Sequence, residues 1–155
     1  MKNSNNTALK PINILLVEDN PSDSRLVDIY LKDSYGDSYN LTLSTTLSQT
    51  LELLEKTTFD VIILDLGLPD SSGLDTFTKT HEQSPKTPII ILTGLIEEQL
   101  GENAIKQGAS DFLSKGTLKN TELKRSINGS IERSKLQQEV ARLKKNQQQQ
   151  EKLEK

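Results

Sequence analysis

Val61-Ile-Ile-Leu-Asp-Leu-Gly-Leu-Pro-Asp-Ser-Ser-Gly-Leu-Asp75 places four aliphatic residues directly before an aspartate and a Gly/Pro/Ser-rich turn directly after it. A short apolar run bounded by turn residues reads as a strand buried on both faces, as in a parallel sheet. Asp65 would then stand at the carboxyl end of that strand, where open α/β sheets bind their ligands. The competing reading is an aspartate that merely caps a turn or a helix. The rest of the chain has to decide between the two.

Working outward, two further apolar runs have the same form. Ile12-Asn-Ile-Leu-Leu-Val17 ends in Glu18 and Asp19, and Pro88-Ile-Ile-Ile-Leu-Thr-Gly94 ends in Thr93. Leu41-Thr-Leu-Ser44 alternates weakly, as a half-covered edge strand does, and Asp111-Phe-Leu forms a short fifth strand followed by Lys115. Helices are expected between them. Asn20-Pro21 is a strong helix start, since Asn caps well and Pro suits the first helical position. Leu26, Val27, Tyr30 and Leu31 then share a face, and a loop covers Tyr35 to Asn40. Leu47, Leu51 and Leu54 mark a second helix, and Leu74 and Phe77 turn inward on a third that starts at about Gly73. A fourth runs from about Glu97 to Gln107 with Leu100, Ala104 and Ile105. Gly101 inside it costs up to ~1 kcal/mol relative to Ala and makes it pliable, unless it is only a harmless surface glycine. A fifth helix starts near Asn120. Five strands alternating with five helices predict a doubly wound α/β fold with a parallel sheet covered on both faces.

Composition narrows the chemistry. The 155 residues contain no cysteine and one histidine, so disulfides, thiolate metal sites, thiol nucleophiles and a His-based metal site are excluded. His81 is expected on the polar side of its helix. No apolar run approaches ~18 residues and the first ten lack an apolar signal core, which reads as a cytoplasmic protein with no membrane partner. Residues 1–10 read as a flexible N-terminus and 11–130 as the folded domain. Residues 131–155 shift to Lys, Arg, Glu and Gln. Charge follows that division: 17 acids against 8 bases up to residue 114, then 5 against 11. In the last segment Leu136, Val140 and Leu143 keep a 4-3 spacing that then meets Gln147 and Gln150. A frayed, solvated helix and a short dimerising or signal-carrying helix both fit it.

In a parallel sheet all strand ends of one polarity emerge at the same edge. Glu18, Asp19 and Asp65 would therefore converge, and three carboxylates repel one another unless a cation is present. Such a setting suits Mg²⁺, held by oxygen ligands with several waters kept. Thr93 and Lys115 face the same point and supply donors for phosphoryl oxygens. Carboxylates, a hard cation and phosphate-binding donors together point to phosphoryl transfer onto a carboxylate.

The order Glu18-Asp19, Asp65-x-x-Leu-Pro, Thr93-Gly and Asp111-Phe-Leu-x-Lys115 resembles the receiver domain of two-component response regulators, in its chemotaxis-regulator-like form. The resemblance spans residues 12 to about 130. It implies a flavodoxin-like (βα)5 fold with strand order 2-1-3-4-5, here with an extended C-terminal helix. It further implies that Asp65 accepts a phosphoryl group from a sensor histidine kinase or histidine phosphotransfer protein. Mg²⁺ would be held by Asp19 and Asp65 directly, by Glu18 through water and by the carbonyl of Gly67. Lys115 would neutralise the phosphoryl charge and Thr93 would move toward it. Phe112 would then swing inward and rearrange the face formed by the fourth helix, fifth strand and fifth helix. Such a domain catalyses only its own phosphorylation and dephosphorylation. Gly116 after Lys115, Phe112 in place of a tyrosine and Gly67 beside the acceptor depart from the usual pattern.

Other classes fit less well. A phosphatase with an aspartyl nucleophile wants a second acid two residues on, where this chain has Gly67. No Gly-rich loop ends in Lys-Ser/Thr, which removes a nucleotide-binding loop. The basic tail carries interspersed acids and no recognition helix is expected after it, so direct nucleic-acid binding is not expected. A receiver-like docking or dimerisation module without phosphorylation remains as the alternative, pairing through the C-terminal helix or the face just described. The polar, uncapped end reads either as the N-terminal fragment of a regulator with an output domain or as an intact single-domain regulator.

Overall fold

A computed structural model describes residues 10–94 and 98–154. Most of the expected flexible N-terminus and the expected first residue of the fourth helix, Glu97, lie outside the described residues. Strand β1 (Ile12–Val17) leads into helix α1 (Pro21–Tyr35), then β2 (Tyr39–Ser44), α2 (Leu47–Lys56) and β3 (Val61–Leu64). After β3 a two-residue hairpin pairs Gly67–Leu68 with Ser71–Ser72, antiparallel. Helix α3 (Leu74–Gln83), β4 (Ile89–Thr93), α4 (Glu98–Lys106) and β5 (Asp111–Ser114) follow. A short 3-10 turn, Lys115–Thr117, precedes α5 (Asn120–Glu154). The five strands form one parallel sheet in the order β2-β1-β3-β4-β5, as expected.

Alternate residues of each strand serve opposite faces, which is why the central runs are apolar throughout. Leu15, Val17, Ile62, Leu64 and Ile91 pack toward Leu47, Leu54, Phe77 and Ala104. Ile14, Leu16, Ile63 and Leu92 pack toward Val27, Leu31, Leu123 and Ile127 of α1 and α5. Residues 61–64 are wholly buried. Truncating one of them, such as Ile63 to Ala, should cost about 2–5 kcal/mol.

Local signals explain most boundaries. Asn20 Oδ1 accepts from Ser22 N (2.9 Å) and Asp23 N (3.1 Å), so α1 starts where the Asn-Pro pair indicated. Gly73 has φ +70°, left-handed backbone that favours glycine, and from there the chain enters α3. Several expectations need correction. The loop after α1 is shorter, because α1 keeps Tyr35 and β2 already begins at Tyr39. The strand expected over Val61–Leu66 stops at Leu64, since the backbone turns into the hairpin. Leu26 and Ile105 are 39% and 38% exposed, at the margins of their helices' apolar faces. His81 is half-buried and stacks on the Phe77 ring, centroids 5.3 Å apart, instead of facing water. Gly101 is buried, so it is no surface glycine.

Candidate functional site

The parallel register delivers the acids to one edge. Glu18 N donates to Ser44 O in β2, and Asp65 N donates to Val17 O in β1, so backbone pairing fixes both residues just past the strands. Glu18, Asp19 and Asp65 each offer a carboxylate oxygen within 4.8 Å of the others. Glu18 and Asp65 are buried while Asp19 is exposed, which leaves the cluster open on one side.

Lys115 reaches the centre from the end of β5. Its Nζ lies 2.8 Å from Glu18 Oε1, 2.9 Å from Asp65 Oδ2 and 3.0 Å from Asp23 Oδ2. The contact with Glu18 is an ion pair without hydrogen-bond alignment, so buried Oε1 has no hydrogen-bond donor among the described residues. Glu18 Oε2 accepts from Asn20 N at 3.2 Å. Asp65 Oδ1 accepts from Gly67 N at 3.0 Å. Three carboxylates thus surround one ammonium, Asp19 stands beside two of them, and the site carries an excess of negative charge.

Burial pushes the Glu18 carboxyl up to about 7; the neighbouring Lys115 ammonium lowers it, and Asp65 raises it further. Burial alone would lower the Lys115 ammonium, but Glu18, Asp65 and Asp23 outweigh it and hold the proton more firmly than usual. The lysine therefore stays charged while Glu18 is the acid that gives way near neutral pH.

The remaining expected residues sit around this centre. Thr93 is fully buried at the end of β4, and its hydroxyl donates to Leu113 O at a long 3.5 Å, across to β5. Phe112 is half-buried on β5 and packs on α4, away from the acids. Gly67 is exposed in the hairpin and meets Asp65 through its N–H. Asp111 turns to Ser126 Oγ (2.7 Å) at the other end of β5. Asp70 accepts from Leu47 N and Ser48 N, which holds its carboxyl below the usual range and caps α2. Asp75 pairs with Lys79 on the surface of α3. Asp23 is the site residue that sequence reasoning missed. It lies in the first turn of α1, four residues after Asp19, and its contact with Lys115 is tertiary, with no local signal in the sequence.

A family model described as response regulator receiver domain matches residues 14–128. The transcriptional regulatory protein KdpE of Staphylococcus aureus is 34% identical over 102 residues, covering 66% of this chain and 42% of that protein. The chain spans about half the length of the curated relatives it matches, or less. Among solved structures, the signal receiver domain of a putative LuxO repressor protein from Vibrio parahaemolyticus superposes with TM-score 0.72 at 34% identity. It covers 84% of this chain and 97% of that one. The receiver domain of a sensor histidine kinase from Pseudomonas aeruginosa PAO1, solved with magnesium coordinated in its active-site cleft, gives TM-score 0.67 at 32% identity. It covers 78% of this chain and 98% of that one. The acid-lined sheet edge with its single lysine sits on a fold and a sequence held in common with these proteins, and the chain belongs to the response regulator receiver domains of two-component systems.

Proposed function

We propose that Asp65 is a phosphoacceptor and that the chain is a phosphorylation-controlled switch. The observation that carries this reading is Lys115 Nζ held at 2.9 Å from Asp65 Oδ2 beside two further acids. An Asp65 oxygen would attack the phosphorus of a phosphohistidine on a sensor histidine kinase or phosphotransfer protein. The P–N bond breaks, a P–O bond to Asp65 forms, and the freed imidazole nitrogen takes a proton. Lys115 moves from its carboxylates toward the new phosphoryl oxygens and offsets their charge. The Gly67 N–H orients the Asp65 carboxylate, and the Thr93 hydroxyl is one weak bond away from being free to turn toward the phosphoryl group.

The donor set fits Mg²⁺. All the charged ligands are oxygens, Glu18 Oε1 is buried without an aligned donor, and exposed Asp19 leaves room for retained waters. Asp19 and Asp65 would hold the ion directly, Glu18 through water, and Gly67 through its carbonyl. The bound ion would supply divalent charge at the phosphoryl oxygens. Similarity to a receiver solved with magnesium in its cleft supports the same assignment.

Residues 11–130 form the receiver in this reading, and 131–155 form a helical extension. Its output passes through the α4-β5-α5 face, with Phe112 as the moving aromatic. The extension favours a second role. Ser134 Oγ and Gln138 Nε2 both donate to Lys86 O, so over residues 134–138 the face of α5 turned to its own domain is polar. Leu136, Val140 and Leu143 lie on the opposite side and are 57%, 50% and 52% exposed. A second copy in parallel would cover that stripe and bring Glu139 of one helix near Lys144 of the other. Incubation with acetyl phosphate and Mg²⁺, followed by intact-mass measurement, tests the main reading. One added phosphoryl group is expected, lost when a chelator is present. No gain in the wild-type protein would favour the docking module.

A further inference from the structure

Helix interiors disfavour glycine, so a glycine buried in one needs a reason. Gly101 lies near the middle of α4 and is buried against β5. A Cβ built there would stand 2.7 Å from Phe112 Cδ2, 2.9 Å from Cγ and 3.2 Å from Cβ. Real Cβ atoms do not approach carbon so closely. The crowded atoms are at the root of the Phe112 side chain, next to the strand backbone, so a small tilt of the ring does not relieve them. Either Phe112 rotates about its first side-chain bond or α4 moves away from β5.

We propose that Gly101 is a positioning residue of the switch. Its missing Cβ is the seat that lets the Phe112 ring lie against α4, and a side chain there shifts the molecule toward the other Phe112 arrangement. The elements involved are continuous with the site. Phe112 is paired in register with Ile91, two residues before Thr93, and Thr93 is bonded to Leu113 O, the carbonyl following Phe112. Freeing the seat and freeing the Thr93 hydroxyl therefore act on the same stretch of β5. If Asp65 phosphorylation draws Thr93 off that carbonyl, the state favoured by phosphorylation is also the state favoured by a Cβ at 101. The link to Asp65 rests on the phosphoacceptor reading above; the packing itself does not.

A double-mutant cycle on the full chain separates the two. With Phe112 present, Gly101→Ala should lower Tm by up to roughly 8 °C, the overpacking cost in a chain of this size less alanine's gain in the helix. In a Phe112→Ala background the same change should raise Tm by about 2–4 °C, because the clash is gone and alanine favours the helix. Should Gly101→Ala fail to fold while the double variant folds, the seat is equally supported. A rise in Tm in both backgrounds would overturn it. Beryllofluoride with Mg²⁺, a phosphoryl mimic, then reads the link by titration calorimetry. Gly101→Ala should bind it several-fold more tightly than wild type, with no such gain in the Phe112→Ala background. Equal affinity in Gly101→Ala and wild type would overturn the positioning role. If wild type binds none, the phosphoacceptor reading fails and takes the link to Asp65 with it, while the stability cycle still judges the seat.

Discussion

Replacing Glu18 by Gln should stabilise the metal-free protein above neutral pH, although Glu18 touches a lysine. The side chain is 1% exposed, and its carboxyl rises from an ordinary 4.5 to about 7. At ~1.4 kcal/mol per pKa unit, keeping Glu18 ionised in the folded state costs up to about 3 kcal/mol relative to its neutral form. That figure already includes the attraction of Lys115, which lowers the pKa and is outweighed by burial. Between about pH 4.5 and 7 the folded state binds more protons than the unfolded one, so wild-type stability falls as pH rises through that window and then levels. Glutamine keeps the shape and never ionises, so the variant should lack this fall. At pH 8 in a chelator it should melt higher than wild type, by up to roughly 10 °C at about 2–4 °C per kcal/mol. At pH 4.5 the two should coincide. Added Mg²⁺ should raise Tm of the wild type more than that of the variant, because a cation relieves the cost that the variant no longer has. Thermal melts at the two pH values, with chelator and with Mg²⁺, decide it. A variant that melts below wild type at pH 8 in chelator would show that the Lys115–Glu18 attraction exceeds the burial cost and would refute the reasoning.

Other expectations follow from the same geometry. Lys115→Met leaves Glu18, Asp65 and Asp23 without their shared cation, and labelling by acetyl phosphate should slow by ~10²-fold, comparable to losing one charge-stabilising donor. Asp70→Ala removes the acceptor of two α2 N-terminal N–H groups, so Tm should drop by a few degrees while labelling stays unchanged. Light scattering should find a larger mass for the full chain than for one ended after residue 134, and Lys144→Glu should shift the full chain toward monomer. Equal masses would remove the helix as a dimer contact.

How much of this was legible depends on the range of the interaction. Val61–Leu64, Ile14–Val17 and Ile89–Thr93 announce themselves because both faces of each run are covered, and the acids after the first two need no tertiary knowledge to be noticed. The convergence of Glu18, Asp19, Asp65 and Lys115 then follows from parallel winding, whereas the strand order came with the resemblance to receiver domains. Asp23 escaped notice because its approach to Lys115 depends on the angle at which α1 leaves β1, and nothing local encodes that. Gly101 looked like a local weakness in α4; its contact is with Phe112, on the next strand, so only packing reveals why glycine stands there. His81 looked like a surface residue, yet its i,i+4 partner Phe77 is a core residue and draws the imidazole inward. Leu26 and Ile105 show the reverse error, since 3.6-residue periodicity assigns a face but not its edge.

The central claim is that Asp65 takes the phosphoryl group. After labelling with acetyl phosphate and Mg²⁺, borohydride reduction converts an aspartyl phosphate to homoserine, and peptide mass mapping reads its position. The account predicts homoserine at position 65 in the wild-type chain and none in Asp65→Asn. Homoserine at Asp19, Asp23 or Asp70 in the wild type, or labelling undiminished in Asp65→Asn, would contradict it.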